Sequence, residues 1–237
     1  MEFVFISIVL FIGFFFILSK IRKSQLVERD RLFLSTVTQP NRGTFTENDL
    51  ILRLLKYGIP AETMFHDLYL QKYRGNFSQI DLVVITNVGI IVFEVKDFSG
   101  WIFGKGNQSQ WTKVLAYGRE KYRFYNPIMQ NNKHIEDLRN QLKPFGSIPF
   151  YSVVVFYGDC VLKDVSFVPN GTYLVKSYRV LEVMDIILSN KKLAQYNNIN
   201  EIVRILNEAV KNGENTQNQI QHIRNINDML GKDRIME

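Results

Sequence analysis

Two apolar runs, Ile80-Asp81-Leu82-Val83-Val84-Ile85-Thr86 and Ile90-Ile91-Val92-Phe93-Glu94-Val95-Lys96, flank the turn signal Asn87-Val88-Gly89 and decide how this chain folds. Their β-branched and aromatic content predicts a hairpin at the centre of a sheet. Each run carries one carboxylate, Asp81 early in the first and Glu94 late in the second, so antiparallel pairing brings the two side by side. Because side chains alternate along a strand, Glu94 and Lys96 share a face and Val95 points the other way.

Working outward, Glu47 to Tyr57 has Leu50, Ile51, Leu54 and Leu55 at helical spacing, with Thr46 as the expected N-cap and Gly58 and Pro60 as the stop. Phe65 to Leu70 reads as a strand and Gly75-Asn76 as a turn. Shorter strands are expected at Trp101–Phe103, Trp111–Leu115 and Lys121–Phe124. Pro127 opens a helix to Leu142, capped by Asn126. Strands at Tyr151–Phe156 and Tyr173–Val175 and a helix at Val180–Leu188 complete an α/β chain with a mixed sheet.

Two carboxylates and a lysine so arranged suit phosphodiester hydrolysis. Asp81 and Glu94 would hold Mg²⁺ or Mn²⁺ through oxygen, and Lys96 would stabilise an attacking hydroxide or the charge on phosphorus. The same residues also fit an ordinary ion pair at a strand end. With one cysteine, Cys160, and three histidines, His66, His134 and His222, neither an intramolecular disulfide nor a Cys/His zinc site can be assembled. Cys160 is expected to be a small buried residue.

The hairpin with Asp97, Gly100, Trp101 and Gly104, followed by Trp111 and by Asn126-Pro127-Ile128-Met129-Gln130-Asn131 with His134, resembles the nuclease-related domain (NERD) family of the PD-(D/E)XK nuclease superfamily. Gly43-Thr44-Phe45-Thr46-Glu47 resembles that family's first helix, although Thr46 stands where the family usually has glycine. The resemblance spans roughly Gly43 to Leu142. It implies a restriction-endonuclease-like sandwich with a mixed central sheet flanked by helices, a third metal-site carboxylate in Glu47, and a place for Gln130 beside the metal. His134 shares a helix face with Gln130 and reads either as a general acid or base or as a packing residue.

Residues 71 to 145 hold eleven Lys and Arg against six Asp and Glu, most of the chain's net +6. Lys105, Lys113, Arg119, Lys121 and Arg123, interleaved with Trp111, Tyr117, Tyr122, Phe124 and Tyr125, form a candidate nucleic-acid surface; a solvated basic face is the alternative.

At the other end of the charge scale, Phe3 to Leu18 is an apolar run followed by Lys20, Arg22 and Lys23. It reads as one transmembrane helix, a single-pass anchor to the cell membrane with its N-terminus outside and the rest cytoplasmic. The cations fix that orientation, and no basic n-region or cleavage site supports a signal peptide. The expected organisation is thus an anchor at 1–19 with the lipid bilayer as partner through residues 3–19, a juxtamembrane linker at 20–42 whose cations meet lipid head groups, a nuclease-related domain at 43–190 and a helical tail at 191–237. In the tail, Ile199 to Val210 forms one apolar face, and Ile220, Ile223, Ile226 and Leu230 form a second that suits a protein partner or self-association. The functional expectation is a membrane-anchored, metal-dependent nuclease acting on DNA. The competing expectation is an inactive nuclease-fold module that tethers nucleic acid or a protein to the membrane; a lipid-surface scaffold is a third.

Overall fold

In the computed structural model, which describes residues 2–72, 76–190 and 192–224 apart from the side chains of 2–14 and 116, the hairpin is central. Strands β1 (Met64–Gln71), β2 (Phe77–Thr86), β3 (Gly89–Asp97), β7 (Phe150–Tyr157) and β9 (Thr172–Lys176) form a five-stranded sheet in the order β1-β2-β3-β7-β9. The first three are antiparallel, and β3, β7 and β9 run parallel. A second, four-stranded sheet, ordered β6-β5-β4-β8, comprises β4 (Trp101–Lys105), β5 (Gln110–Leu115), β6 (Glu120–Tyr125) and β8 (Val161–Ser166). The architecture is therefore mixed α/β with two mixed sheets, where one central sheet was expected. The chain leaves the first sheet through Gly100, whose positive φ of 80° and contact with the Val114 carbonyl leave no room for a Cβ.

Helices cover both faces of the larger sheet. On one side α2 (Phe45–Tyr57) and α4 (Val180–Leu188) bury Leu50, Leu54, Met184 and Ile187 against Leu82, Val84, Ile91 and Phe93. On the other, α3 (Pro127–Leu142) and α5 (Ile199–Glu214) bury Ile135, Leu138, Ile202 and Leu206 against Val83, Ile85 and Val92. A third core around Trp111, Ile128 and Phe156 joins the two sheets.

Strand alternation breaks at one place. Phe65, Leu68 and Leu70 all join the α3/α5 core, although strict period two would send Phe65 and Leu68 to opposite faces. On β2, Ile80 enters that same core while Leu82, two residues on, enters the α2/α4 core. Both switches occur where Asp67 stands opposite Asp81, and Asp67 has the left-handed φ of 52°. Arg42 holds it there: its Nε and Nη2 donate to Asp67 Oδ2 at 3.2 and 3.0 Å, and Nη2 also donates to the Asp67 carbonyl at 2.6 Å.

The N-terminal expectation needs correcting. Among the described residues no helix is long and apolar enough to cross a membrane, which overturns both the transmembrane helix and the single-pass, N-outside location built on it. The apolar run runs on into a single helix, α1 (Glu2–Leu34), whose second half carries Lys20, Arg22, Lys23, Glu28, Arg29, Asp30 and Arg31. Its sixteen apolar, Ser or Gly residues span about 24 Å at ~1.5 Å each, short of a hydrocarbon core of about 30 Å. Asp30 pairs with Lys56 of α2 at 2.7 Å, so this end of α1 docks on the domain.

Smaller differences follow from capping. Helix α2 starts at Phe45 with Thr44, not Thr46, as N-cap: Thr44 Oγ1 accepts from the Glu47 amide at 3.3 Å and donates to Glu47 Oε1 at 2.7 Å, the T-x-x-E spacing of a capping box. In the tail, 216–224 is helical with Ile220 and Ile223 exposed, while Gly75, Ile226 and Leu230 lie outside the described residues.

Fully buried Asn126 ties α3 to the second sheet. Its Oδ1 accepts from the Ile128 and Met129 amides, and its Nδ2 donates to the carbonyls of Lys105, Gly106 and Gln108. Asn126→Ala is expected to cost about 2–4 kcal/mol, combining a lost cap with unpaired carbonyls. Asn126→Asp keeps the cap but loses the donor, and should also unfold at clearly lower denaturant; a wild-type midpoint for Asn126→Asp would refute the second role.

Candidate metal centre

Backbone pairing between β2 and β3 runs from Thr86 and Gly89 to Leu82 and Phe93 and stops there. At the next step the Asp81 side chain replaces the ladder, Oδ2 accepting from the Val95 amide at 2.7 Å. The strands thus part where the two carboxylates sit. Glu94 is 1% exposed, yet its Oε1 lies 2.6 Å from Lys96 Nζ, and Lys96 in turn donates to Gln130 Oε1 at 3.1 Å. The hairpin and the first turn of α3 therefore bring Glu94, Lys96 and Gln130 into one chain of contacts, with Asp81 beside them.

Electrostatics tie Asp81 to this group. Burial, then the negative charges of Glu94 and Glu47, push its carboxyl well above the ordinary range, against the Val95 hydrogen bond and the Lys96 charge. Glu47 itself is engaged elsewhere: its Oε2 lies 3.0 Å from His66 Nε2, and His66 Nδ1 lies 2.7 Å from Thr38 Oγ1. Burial alone would raise the Glu47 carboxyl, but the hydrogen bonds from His66 and Thr44 outweigh it and hold it below the usual value.

His66 was visible in the sequence only as one of three histidines. Gly43 is the signal that could have found it, because a Cβ at that left-handed position would strike the His66 ring and the Glu47 carboxylate. Three other buried groups escaped notice as site residues. Ser78 Oγ lies 2.9 Å from His134 Nδ1, and Asn131 Nδ2 donates to the Val92 carbonyl at 2.8 Å and to Ser152 Oγ at 2.9 Å, pinning α3 across β3 and β7.

Among the described residues no group of three or more His, Cys, Asp and Glu stands ready to hold a metal ion. What the site offers is two adjacent carboxylates, one of them with a buried oxygen, Glu94 Oε2, that lacks a hydrogen-bond partner. That donor set fits Mg²⁺ or Mn²⁺, hard cations that bind through one or two carboxylates and keep several waters. The basic residues are spread over the second sheet. Pairing of Val114 with Lys121 and Thr112 with Arg123 places Lys121 and Arg123 on one face; Lys113, paired with Tyr122, lies on the opposite face with Trp111. Lys105 ends β4, its Nζ 5.9 Å from the centre of the Phe167 ring, and exposed Arg119 follows the β5–β6 turn at Tyr117.

The site defines the chain's class as an α/β protein with a paired-carboxylate centre on a β-hairpin. A model of the nuclease-related domain matches residues 28–157, more than half of the chain, and the protein belongs to that family. It is also similar to an uncharacterized protein of Bacillus anthracis, 32% identical over 118 residues that make up 49% of this chain and 54% of that protein. The chain thus spans about half the length of the curated relative it matches. No solved structure matches it.

Since Asp81 titrates above its unfolded value, its ionisation weakens the metal-free fold: the cost is absent below the ordinary carboxylate pKa and grows as pH rises toward the folded value. Asp81→Asn keeps an acceptor for the Val95 amide and removes that charge. It should raise the melting temperature of metal-free protein at pH 7 by a few degrees, each kcal/mol being worth about 2–4 °C at this size, and leave it unchanged near pH 3. A lower melting temperature at pH 7 would contradict the assignment.

Proposed function

We propose that this protein is a divalent-metal-dependent nuclease that hydrolyses phosphodiester bonds, with DNA as substrate. The observation that carries the reading is the meeting of Asp81, Glu94 and Lys96, where β2 and β3 part, in a chain of the nuclease-related domain family. Asp81 and Glu94 would hold Mg²⁺ or Mn²⁺, and the negative charge of Glu47, which disfavours ionised Asp81 in the metal-free site, would add to the attraction for the cation. When bound, the cation supplies positive charge that polarises the phosphoryl group and makes nearby water more acidic.

The chain's own residues do the remaining work. Lys96, 19% exposed, is the cation at the mouth of the site; released from Glu94, its ammonium stabilises charge on the scissile phosphate. Gln130 Oε1 accepts a hydrogen bond from Lys96 and so fixes the direction of that ammonium. Lys105, Lys113, Arg119, Lys121 and Arg123 attract the phosphate backbone, and the salt dependence of binding follows from their number.

One observation favours a binding module without turnover: Lys96 neutralises Glu94 at 2.6 Å, leaving fewer free donors for a cation. Full-length protein incubated with labelled linear and single-stranded DNA separates the two readings. Cleavage should require Mg²⁺ or Mn²⁺, and Asp81→Ala and Lys96→Ala should each lower the rate by about 10²-fold or more. Salt-sensitive DNA binding without cleavage at any metal concentration would favour the binding module.

A further inference from the structure

Two buried polar atoms of the site face each other without a hydrogen-bond partner. They are Glu94 Oε2 and His134 Nε2, 3.5 Å apart, from side chains that are 2% and 11% exposed. Unpaired buried polar atoms are costly, and a matched pair at just over hydrogen-bond length points to a contact that tightens when the site is loaded. We propose that His134, fixed by Ser78, is a positioning residue that holds the Glu94 carboxylate in the orientation needed to bind the cation. The inference rests on the metal-dependent reading above.

The proton arrangement follows from the partners. Glu94 Oε2 can only accept when ionised, so the neutral imidazole presents Nε2–H to it; Nδ1 is then the acceptor of a hydrogen bond from the Ser78 hydroxyl, with Oγ 2.9 Å away. The opposite tautomer would set a nitrogen lone pair against a carboxylate oxygen. Glu94 thus selects the tautomer and Ser78 matches it by donating, so the histidine holds Oε2 while Oε1, 2.6 Å from Lys96 Nζ in the metal-free site, is the oxygen left for the cation once Lys96 is released. The two residues come from elements that do not depend on one another for this contact. Ser78 lies on β2, two residues before Ile80, and His134 lies one helical turn beyond Gln130 on α3. Its ring is thereby tied both to the hairpin's first strand and to the carboxylate of its second.

The test is Mn²⁺ binding to the full-length protein by titration calorimetry, read beside the melting temperature of each metal-free variant and the metal dependence of cleavage. His134→Ala should weaken Mn²⁺ binding about 10- to 100-fold, and Ser78→Ala should weaken it less but in the same direction. His134→Gln, whose amide nitrogen can stand in for Nε2, should restore most of the loss. In cleavage, the metal concentration for half-maximal rate should rise more than the rate at saturating metal falls. A residue that merely packs would lower the melting temperature and leave Mn²⁺ affinity where it was. Should His134→Ala not fold, His134→Phe, which keeps a ring but has no Nε2 donor, and Ser78→Ala decide. Wild-type affinity in Ser78→Ala and in a folded His134 variant that lacks the donor overturns the positioning role alone, whereas wild-type protein that binds no Mn²⁺ overturns the metal reading as well.

Discussion

The contact on which the site's geometry depends is the buried pair between Arg42 and Asp67. A left-handed residue other than glycine inside a strand costs on the order of 1–3 kcal/mol and persists only where its surroundings over-determine it. Arg42 does so with three hydrogen bonds to one residue, and Gln79 adds a fourth, its Nε2 donating to Asp67 Oδ1 at 3.0 Å. The rotation this fixes in β1 passes to β2, where Ile80 and Leu82 part company and Asp81 turns toward the Val95 amide rather than into either core. His66, immediately before the kink, faces α2 and meets Glu47.

The site is an acidic point in a basic segment. Its carboxylates repel one another and are only partly compensated by Lys96 and by backbone, which is the state a cation site takes when its own residues do not fully neutralise it. Around it the protein spends positive charge freely on the second sheet. The same chain can therefore attract a polyanion broadly while keeping one place where a divalent cation competes with a lysine.

Much of this was legible in residues with strong local signals. The two apolar runs define β2 and β3 because continuous β-branched runs suited to burial on both faces agree with a glycine turn, and Asn126-Pro127 marks the start of α3 because a cap and a fixed φ coincide. Strand β8 was not legible: Val161 to Ser166 is half-exposed, and it pairs in parallel with β4 only after a distant crossover. Nor was the kink, since nothing in His66-Asp67-Leu68 announces a left-handed aspartate whose cause is an arginine far upstream. The N-terminal run misled because its apolar stretch is shorter than a hydrocarbon core is thick, and the helix runs on through the charges that follow it. In the site, acid and lysine identities were readable from spacing, while Ser78 and His66 act through contacts that no spacing rule encodes.

Helix α5 lies beyond the stretch that the family model matches, yet it closes over the kink. Arg42 Nη1 donates to the Val210 carbonyl at 3.1 Å and sits 3.6 Å from Glu214, and Gly213 is the one residue small enough to let the guanidinium pass. Every carboxylate of the centre has been synthesised by residue 94, but the arginine that sets their frame gains its last partners only when residues 199–214 dock on β1. A growing chain would thus carry the reactive groups long before it carries their geometry, so assembly of the centre is timed by the far end of the fold and not by the motif that marks it.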